Sequence, residues 1–282
     1  MAYKALVKLK NDGKIKDFKY VEPNNSAENS QFLKDFSGGD FDLIIGMGTE
    51  VAEDVQAVQK IFPEQKYAVV GAINEIPNTV TVDFAEHEVS FLAGSLAAFM
   101  SKEKKVGTIP ALDTKSFNRF VNGFRQGAKY VNPEIQVINT YMPTSSSNPF
   151  NDPVTAKNIA LIMNGRGADV ILHIAENSGA GIFETAKQKN FFAIGCDENE
   201  DGKAPGTILT SVRVRIDNAI YNIVDNIEKS GFQPGYRILG LKEEAVSLTD
   251  FSYTRDIIGA ENLKKLEDIQ NKIILGEIKV SE

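Results

Sequence analysis

"ADVILHIAENSGAGIFETAKQKNFFAIGCDEN" (168–199) reads as strand, helix, strand. The run "ADVILHIA" (168–175) is apolar, a helix fits near 180–189, and "FFAIGCDE" (191–198) is a second apolar run closing on carboxylates. Two strands joined through a helix form the crossover unit from which parallel sheets are built. Working outward, the same alternation recurs. "KVGTIP" (105–110), "IQVINTYM" (135–142) and "TILTSVRV" (207–214) read as strands, with helices near 116–130 and 154–164.

An earlier series supplies "FKYVEP" (18–23), "FDLIIGM" (41–47), "KYAVVGA" (66–72) and "TVTVDF" (79–84), with helices at about 27–36 and 50–62. "LII" and "AVV" do not alternate with polar residues, as expected of strands covered on both faces. A helix over 86–101 joins the two series, and "IDNAIYNIVDNIEKSG" (216–231) is a further amphipathic helix. "YRILGLKEEAVSLT" (236–249) and a last helix, "GAENLKKLEDIQNKIILGE" (259–277), complete the chain. The fold class is α/β, with two doubly wound parallel-sheet lobes. No glycine- or serine-rich linker divides them, so the lobes are expected to exchange segments. Residues 1–85 plus about 215–238 make the first, and 86–214 plus about 239–282 the second.

Bulk chemistry excludes several function classes. The 282 residues carry a formal net charge of −7, which argues against sequence-independent nucleic-acid binding and strong attraction to anionic lipid. Cys196 is the single cysteine, so no internal disulfide is possible. The apolar run "VSFLAGSLAAFM" (89–100) is too short to span a bilayer, and no export signal opens the sequence. "GMGTEV" has Val51 where a dinucleotide fingerprint needs its third glycine, and "DENEDG" has Ile208 where a calcium loop needs glutamate. Two histidines and one cysteine suggest no metal cluster, and no GxSxG elbow is present. No cofactor, no metal and no catalysis are expected.

In open parallel sheets, ligands sit beyond the carboxyl ends of the strands. Here that selects "GMGTE" (46–50), "PALDTKSFN" (110–118), "PTSSSNPFND" (143–152), "AENSG" (175–179) and "CDENEDG" (196–202). These loops suit a neutral, hydroxylated ligand carrying a flat ring. Asp197 can accept from two neighbouring sugar hydroxyls. Asn177 can donate and accept, or cap the following helix. Phe117 and Phe150 offer ring faces to a base, or pack beneath their loops. Asp113 is either loop chemistry or the N-cap of the helix near 116–130. Arg213 and Lys242 are further polar candidates, each balanced by a plain solvated role.

"DLIIGMGTEVAEDV", "HEVSFLAGSLAAFMSK", "NRFVNGFRQGAKYVNPEIQV", "FNDPVTAKNIAL" and the opening stretch resemble basic membrane protein lipoproteins, the substrate-binding proteins of the PnrA type. "APGTILTSVRVRIDNAIY" and "GLKEEAVSL" continue the likeness, which covers nearly the whole chain. The resemblance implies a periplasmic-binding-protein type I fold and a purine nucleoside held in a cleft between two lobes. It also implies ABC permease subunits as partners and an extracytoplasmic lipoprotein at the cell membrane, anchored through a lipidated cysteine that this chain lacks.

It implies, too, a strand with an Asp-x-Ser-Phe-Asn-like loop before the first helix. The chain opens instead on a helix, with Ala2, Ala5, Leu6 and Leu9 on one stripe, stopped at Asn11, Asp12 and Gly13. "DTKSFN" (113–118) imitates the loop but belongs to the second lobe. The expectation is therefore that residue 1 is an internal methionine of a longer protein. The first strand would be missing from the interior of the sheet, between 18–23 and 41–47, with nucleoside binding weak or lost. The rival expectation is a cytoplasmic regulatory protein of the same family with a ligand-sensing role; an enzyme such as a nucleoside hydrolase ranks third.

Overall fold

Strands that are apolar on both faces need helices on both faces, and the computed structural model, which describes residues 1–23 and 25–282, supplies them. The chain begins with α1 (Ala2–Asn11), α2 (Ser26–Ser37), β1 (Ile44–Met47), α3 (Val51–Gln59), β2 (Tyr67–Val70) and β3 (Thr79–Phe84). It continues through α4 (Glu86–Met100), β4 (Lys105–Pro110), α5 (Lys115–Val131), β5 (Gln136–Asn139) and α6 (Pro153–Gly165). Next come β6 (Val170–Ile174), α7 (Gly179–Lys189), β7 (Phe192–Asp197) and β8 (Ile208–Val214). The last elements are α8 (Ile216–Ser230), β9 (Gly235–Leu239), β10 (Val246–Leu248), α9 (Arg255–Ile258) and α10 (Ala260–Ile274).

Two compact units result. Met1–Phe84 with Arg215–Leu239 form the first, and Ala85–Val214 with Gly240–Glu282 form the second. In the first unit the strand order is β1-β2-β3-β9, all parallel. Every residue of β2 and β3 is buried, which is why their sequences do not alternate. The core gathers Ile44, Val55, Val58, Tyr67 and Val69, with Leu33 of α2. Helix α1 packs against α8, burying Ala5 and Leu9, and Lys14 reaches Asp225 at 2.9 Å and Glu228 at 2.7 Å.

"FKYVEP" (18–23) is not a strand, contrary to the expectation from its composition. Strand geometry needs a hydrogen-bonding neighbour, and among the described residues none pairs with this segment. Its side chains lean instead on the first two helices. Phe18 and Tyr20 meet the Tyr3 ring edge-on at 5.7 and 5.6 Å, and the Lys19 ammonium lies 5.1 Å from the Phe36 ring. The sheet therefore starts at β1, whose outer edge has no strand partner among the described residues.

The second unit has the order β10-β8-β7-β6-β4-β5, parallel except for the antiparallel β10. Local chemistry sets its helix ends. Asp152 caps α6 by accepting from the Thr155 N–H at 3.0 Å, with Pro153 in the first turn. Asn190 closes α7 in the left-handed conformation, φ 57°. Helix α4 is buried at His87 and continuously from Val89 to Ala97, because α5 covers one side while β8, β10 and α10 cover others. Among the described residues no helix is long and apolar enough to cross a membrane.

Candidate functional site

The strand order of the second unit arranges the candidate residues in a row along one sheet edge. From one side to the other it runs Lys242 in the turn leading to β10, Arg213 on β8, Asp197 closing β7, and Asn177 after β6. Asp113 and Phe117 follow β4, and Phe150 follows β5. Lys242 falls on this edge because β10 is antiparallel, pairing Val246 with Val214 at the carboxyl end of β8.

Asp197 and Arg213 are direct register partners across β7 and β8. Both are half-buried. Asp197 holds a left-handed backbone, φ 69°, unusual for a residue other than glycine. Burial pushes its carboxyl up to about 6, with Glu176 and Glu200 adding to the rise and His173 and the Cys196 thiol opposing it. Arg213 Nε is buried with no hydrogen-bond partner. A carboxylate raised by desolvation on one strand, and an unsatisfied guanidinium nitrogen on its register partner in the next, are chemistry that a polar ligand would complete.

The two phenylalanines come together. Phe117 and Phe150 are half-buried on the second unit's core, with ring centroids 6.0 Å apart and planes inclined at 47°. Loop packing thus accounts for part of each ring and leaves part exposed. Asp113 does not cap α5, whose N-cap is Thr114. Its Oδ1 accepts from Asn118 Nδ2 at 2.9 Å, and Asn118 Oδ1 accepts from the Tyr141 hydroxyl. Asn177 is exposed within the 3₁₀ turn Glu176–Ser178, and the residue preceding α7 is Ser178, so Asn177 is not a cap. Lys242 is exposed at the far side of the row.

Three groups escaped the sequence reading. Buried Ser178 donates to the Pro149 carbonyl at 2.8 Å and accepts from the Asp152 N–H at 2.7 Å, tying two of the loops together. Tyr141 orients Asn118. Buried Glu200 meets buried His173 at 2.6 Å. A carboxylate four residues past a strand's Cys196 was the available sign, but its partner lies 27 residues away.

The sequence profile of the ABC transporter substrate-binding protein PnrA-like family matches residues 1–282. The chain belongs to that family. It is 30% identical to the CD4+ T-cell-stimulating antigen of Listeria monocytogenes, over 94% of this chain and 77% of the relative. It is 27% identical to the transcriptional activator protein med of Bacillus subtilis, over 99% of this chain and 85% of the relative. Among solved structures, an ABC transporter solute-binding protein of Aeropyrum pernix superposes with a TM-score of 0.79 at 25% identity, covering 99% of this chain and 88% of that one. The family is one of substrate-binding proteins, and the α/β fold with parallel-sheet units is that of ABC solute-binding proteins.

Proposed function

We propose that this substrate-binding protein takes a purine nucleoside for an ABC importer and holds it without chemical change. The observation that carries this reading is Asp197, a half-buried carboxylate at the carboxyl end of β7 whose register partner on β8, Arg213, has a buried Nε without a hydrogen-bond partner. A carboxylate so placed accepts from the two vicinal hydroxyls of a ribose. The exposed parts of Phe117 and Phe150 face the base, and Asn177 and Asp113 add polar contacts. Lys242 stands at the margin. The partners on this reading are permease subunits, and the protein works outside the cytoplasm at a membrane.

Calorimetry with adenosine, guanosine, inosine, cytidine and ribose tests it. Purine nucleosides should bind in preference to cytidine, and ribose alone should bind least. Equal heats for ribose and adenosine would remove the aromatic contacts from the reading. Recovery of inosine as hypoxanthine and ribose would make the protein a hydrolase instead.

A pH dependence follows from Asp197. Its neighbours are His173 and Glu176 from the β6 side, Cys196 on β7, Glu200 beyond it, and Arg213 on β8. Only the ionised carboxylate accepts two hydroxyls, so affinity falls as pH falls through about 6. Kd at pH 5 should be about tenfold weaker than at pH 7, the cost of ionising the group before it binds. The unliganded protein shows the opposite trend. A folded-state value above the ordinary one means that the native chain keeps a proton the unfolded chain has lost, so this group's contribution to stability declines as pH rises from about 4 to about 6. Titration at fixed salt measures both.

The Bacillus subtilis relative is named a transcriptional activator, which favours a second reading: a sensor that couples the same ligand to gene control. Cell fractionation separates the two, since an importer component co-sediments with membranes carrying its permease and a regulator does not.

A further inference from the structure

We infer that His173 and Glu200 are a positioning pair, whose buried hydrogen bond keeps the loop carrying Asn177 in register with the loop carrying Asp197. That these loops bind a ligand rests on the function proposed above; the coupling between them does not.

His173 is the penultimate residue of β6 and is completely buried, and Glu200 is 4% exposed. Nε2 of His173 lies 2.6 Å from Glu200 Oε2. On the other side of the ring, Nδ1 accepts from the Ala175 N–H at 3.4 Å, at the start of the Asn177 loop. An imidazole that accepts at Nδ1 carries its proton at Nε2, so the bond to Glu200 is N–H to carboxylate. The same Glu200 Oε2 accepts from the Cys196 N–H at 3.0 Å, one residue before Asp197. The ring and the carboxylate thus form a continuous strut from the backbone of one loop to the backbone of the other.

The rest of the surroundings hold the strut in place. Lys203 donates to Glu200 Oε1 at 2.7 Å, and the Glu200 N–H donates to Ser211 Oγ at 3.0 Å. Ser211 Oγ in turn donates to Asp201 Oδ1 at 2.6 Å. The His173 ring meets Phe183 edge-on at 5.1 Å. Gly195 admits the carboxylate, since a Cβ there would lie 2.9 Å from Glu200 Oε2. Burial alone would push the Glu200 carboxyl up, but hydrogen bonds from His173, Lys203 and the Cys196 N–H outweigh it and hold the group below its ordinary value. It is therefore a charged acceptor with three donors, a satisfied network rather than an orphan.

The strut has something to hold. Glu176 and Asp197 both sit at positive φ, 44° and 69°. Such a backbone conformation is disfavoured for a residue with a side chain and persists only where its neighbours fix it. The two strained residues stand in the two loops that the strut joins.

The test uses the whole protein. His87 is the only other histidine, so histidine-selective ¹⁵N labelling gives two rings to assign. At pH 7 His173 should show a protonated Nε2 and a bare Nδ1. Glu200→Ala should move the backbone amides of Ala175 and Asn177, in a loop that Glu200 reaches by hydrogen bonding only through His173. Glu200→Gln keeps an oxygen for His173 and Cys196 and should leave those amides near their wild-type positions. His173→Phe, which keeps a ring against Phe183, should behave like Glu200→Ala. In calorimetry with adenosine, Glu200→Ala should weaken binding roughly tenfold and Glu200→Gln less than about threefold. A protonated Nδ1 in the wild type, or unmoved Ala175 and Asn177 amides in Glu200→Ala, overturns the inference. If Glu200→Ala fails to fold, the wild-type tautomer and His173→Phe decide it. If the wild type binds no nucleoside, the proposed function falls while the tautomer and the amides still decide the coupling.

Discussion

Asp197→Asn should weaken purine nucleoside binding by about a hundredfold, the largest loss expected from any single site residue. Two charge-assisted hydrogen bonds from ribose hydroxyls are worth about 1.5–3 kcal/mol each, and an amide cannot accept both with equal strength. Its NH2 group would face a hydroxyl that needs an acceptor. Asparagine is the informative substitution because it tolerates the left-handed backbone, φ 69°, that Asp197 adopts. Alanine would confuse loss of the carboxylate with strain in the loop. Calorimetry with adenosine reads the effect, and a melting temperature at pH 7 no lower than that of the wild type confirms that the fold is intact, since Asn removes the cost of a buried charge. The Asn variant should also lose the weakening between pH 7 and pH 5, because the group that titrates near 6 is gone. An unchanged Kd would remove Asp197 from the site.

The largest effect on stability is expected at the α4–α5 contact. A Cβ on Gly127 would lie 1.8 Å from the Phe91 carbonyl oxygen, and one on Gly94 would lie 1.9 Å from the Phe124 carbonyl oxygen. Both obstacles are backbone, so no rotamer change relieves them. Helix α4 has little room to retreat, with β8, β10 and α10 packed against it. Ser95 Oγ, which donates to the Gly127 carbonyl at 3.2 Å, would lose its geometry as well. Gly127→Ala should therefore cost about 3 kcal/mol or more and lower the melting temperature by roughly 6–12 °C. Gly165→Ala is the matched control, since a Cβ there meets nothing within 4 Å. It should be neutral or slightly stabilising. Equal melting temperatures for the two variants would mean that the helices can separate at little cost.

Much of the fold was legible because it depends on local chemistry. "KVGTIP" gives β4 at its expected limits, and "TVTVDF" gives β3, since a short apolar run between turn residues has few alternatives. Helix α8 likewise ends before Gly231, as its pattern indicates. "FKYVEP" shows where such reading fails. Its β-branched and aromatic content suits a strand, but pairing is a property of two segments, and composition reports on one. The candidate site divides along the same line. Asp197 could be singled out because a strand ends on it. The pairing of Asp197 with Arg213 could not, because the β7–β8 register shifts between Ala193 and Gly195. Nor could the meeting of Phe117 with Phe150, which follows from loops on adjacent strands converging in space.

The flank of β1 that has no strand partner among the described residues has a consequence for behaviour in solution. A ribbon edge with spare donors and acceptors is a template onto which other chains can add. Here the template is only four residues long, and exposed Asp40, Asp42 and Glu50 bracket it with like charge. Those carboxylates act as gatekeepers against edge-to-edge stacking, and added salt screens them. The protein should stay dispersed in dilute, low-salt buffer and grow sticky as ionic strength and concentration rise together.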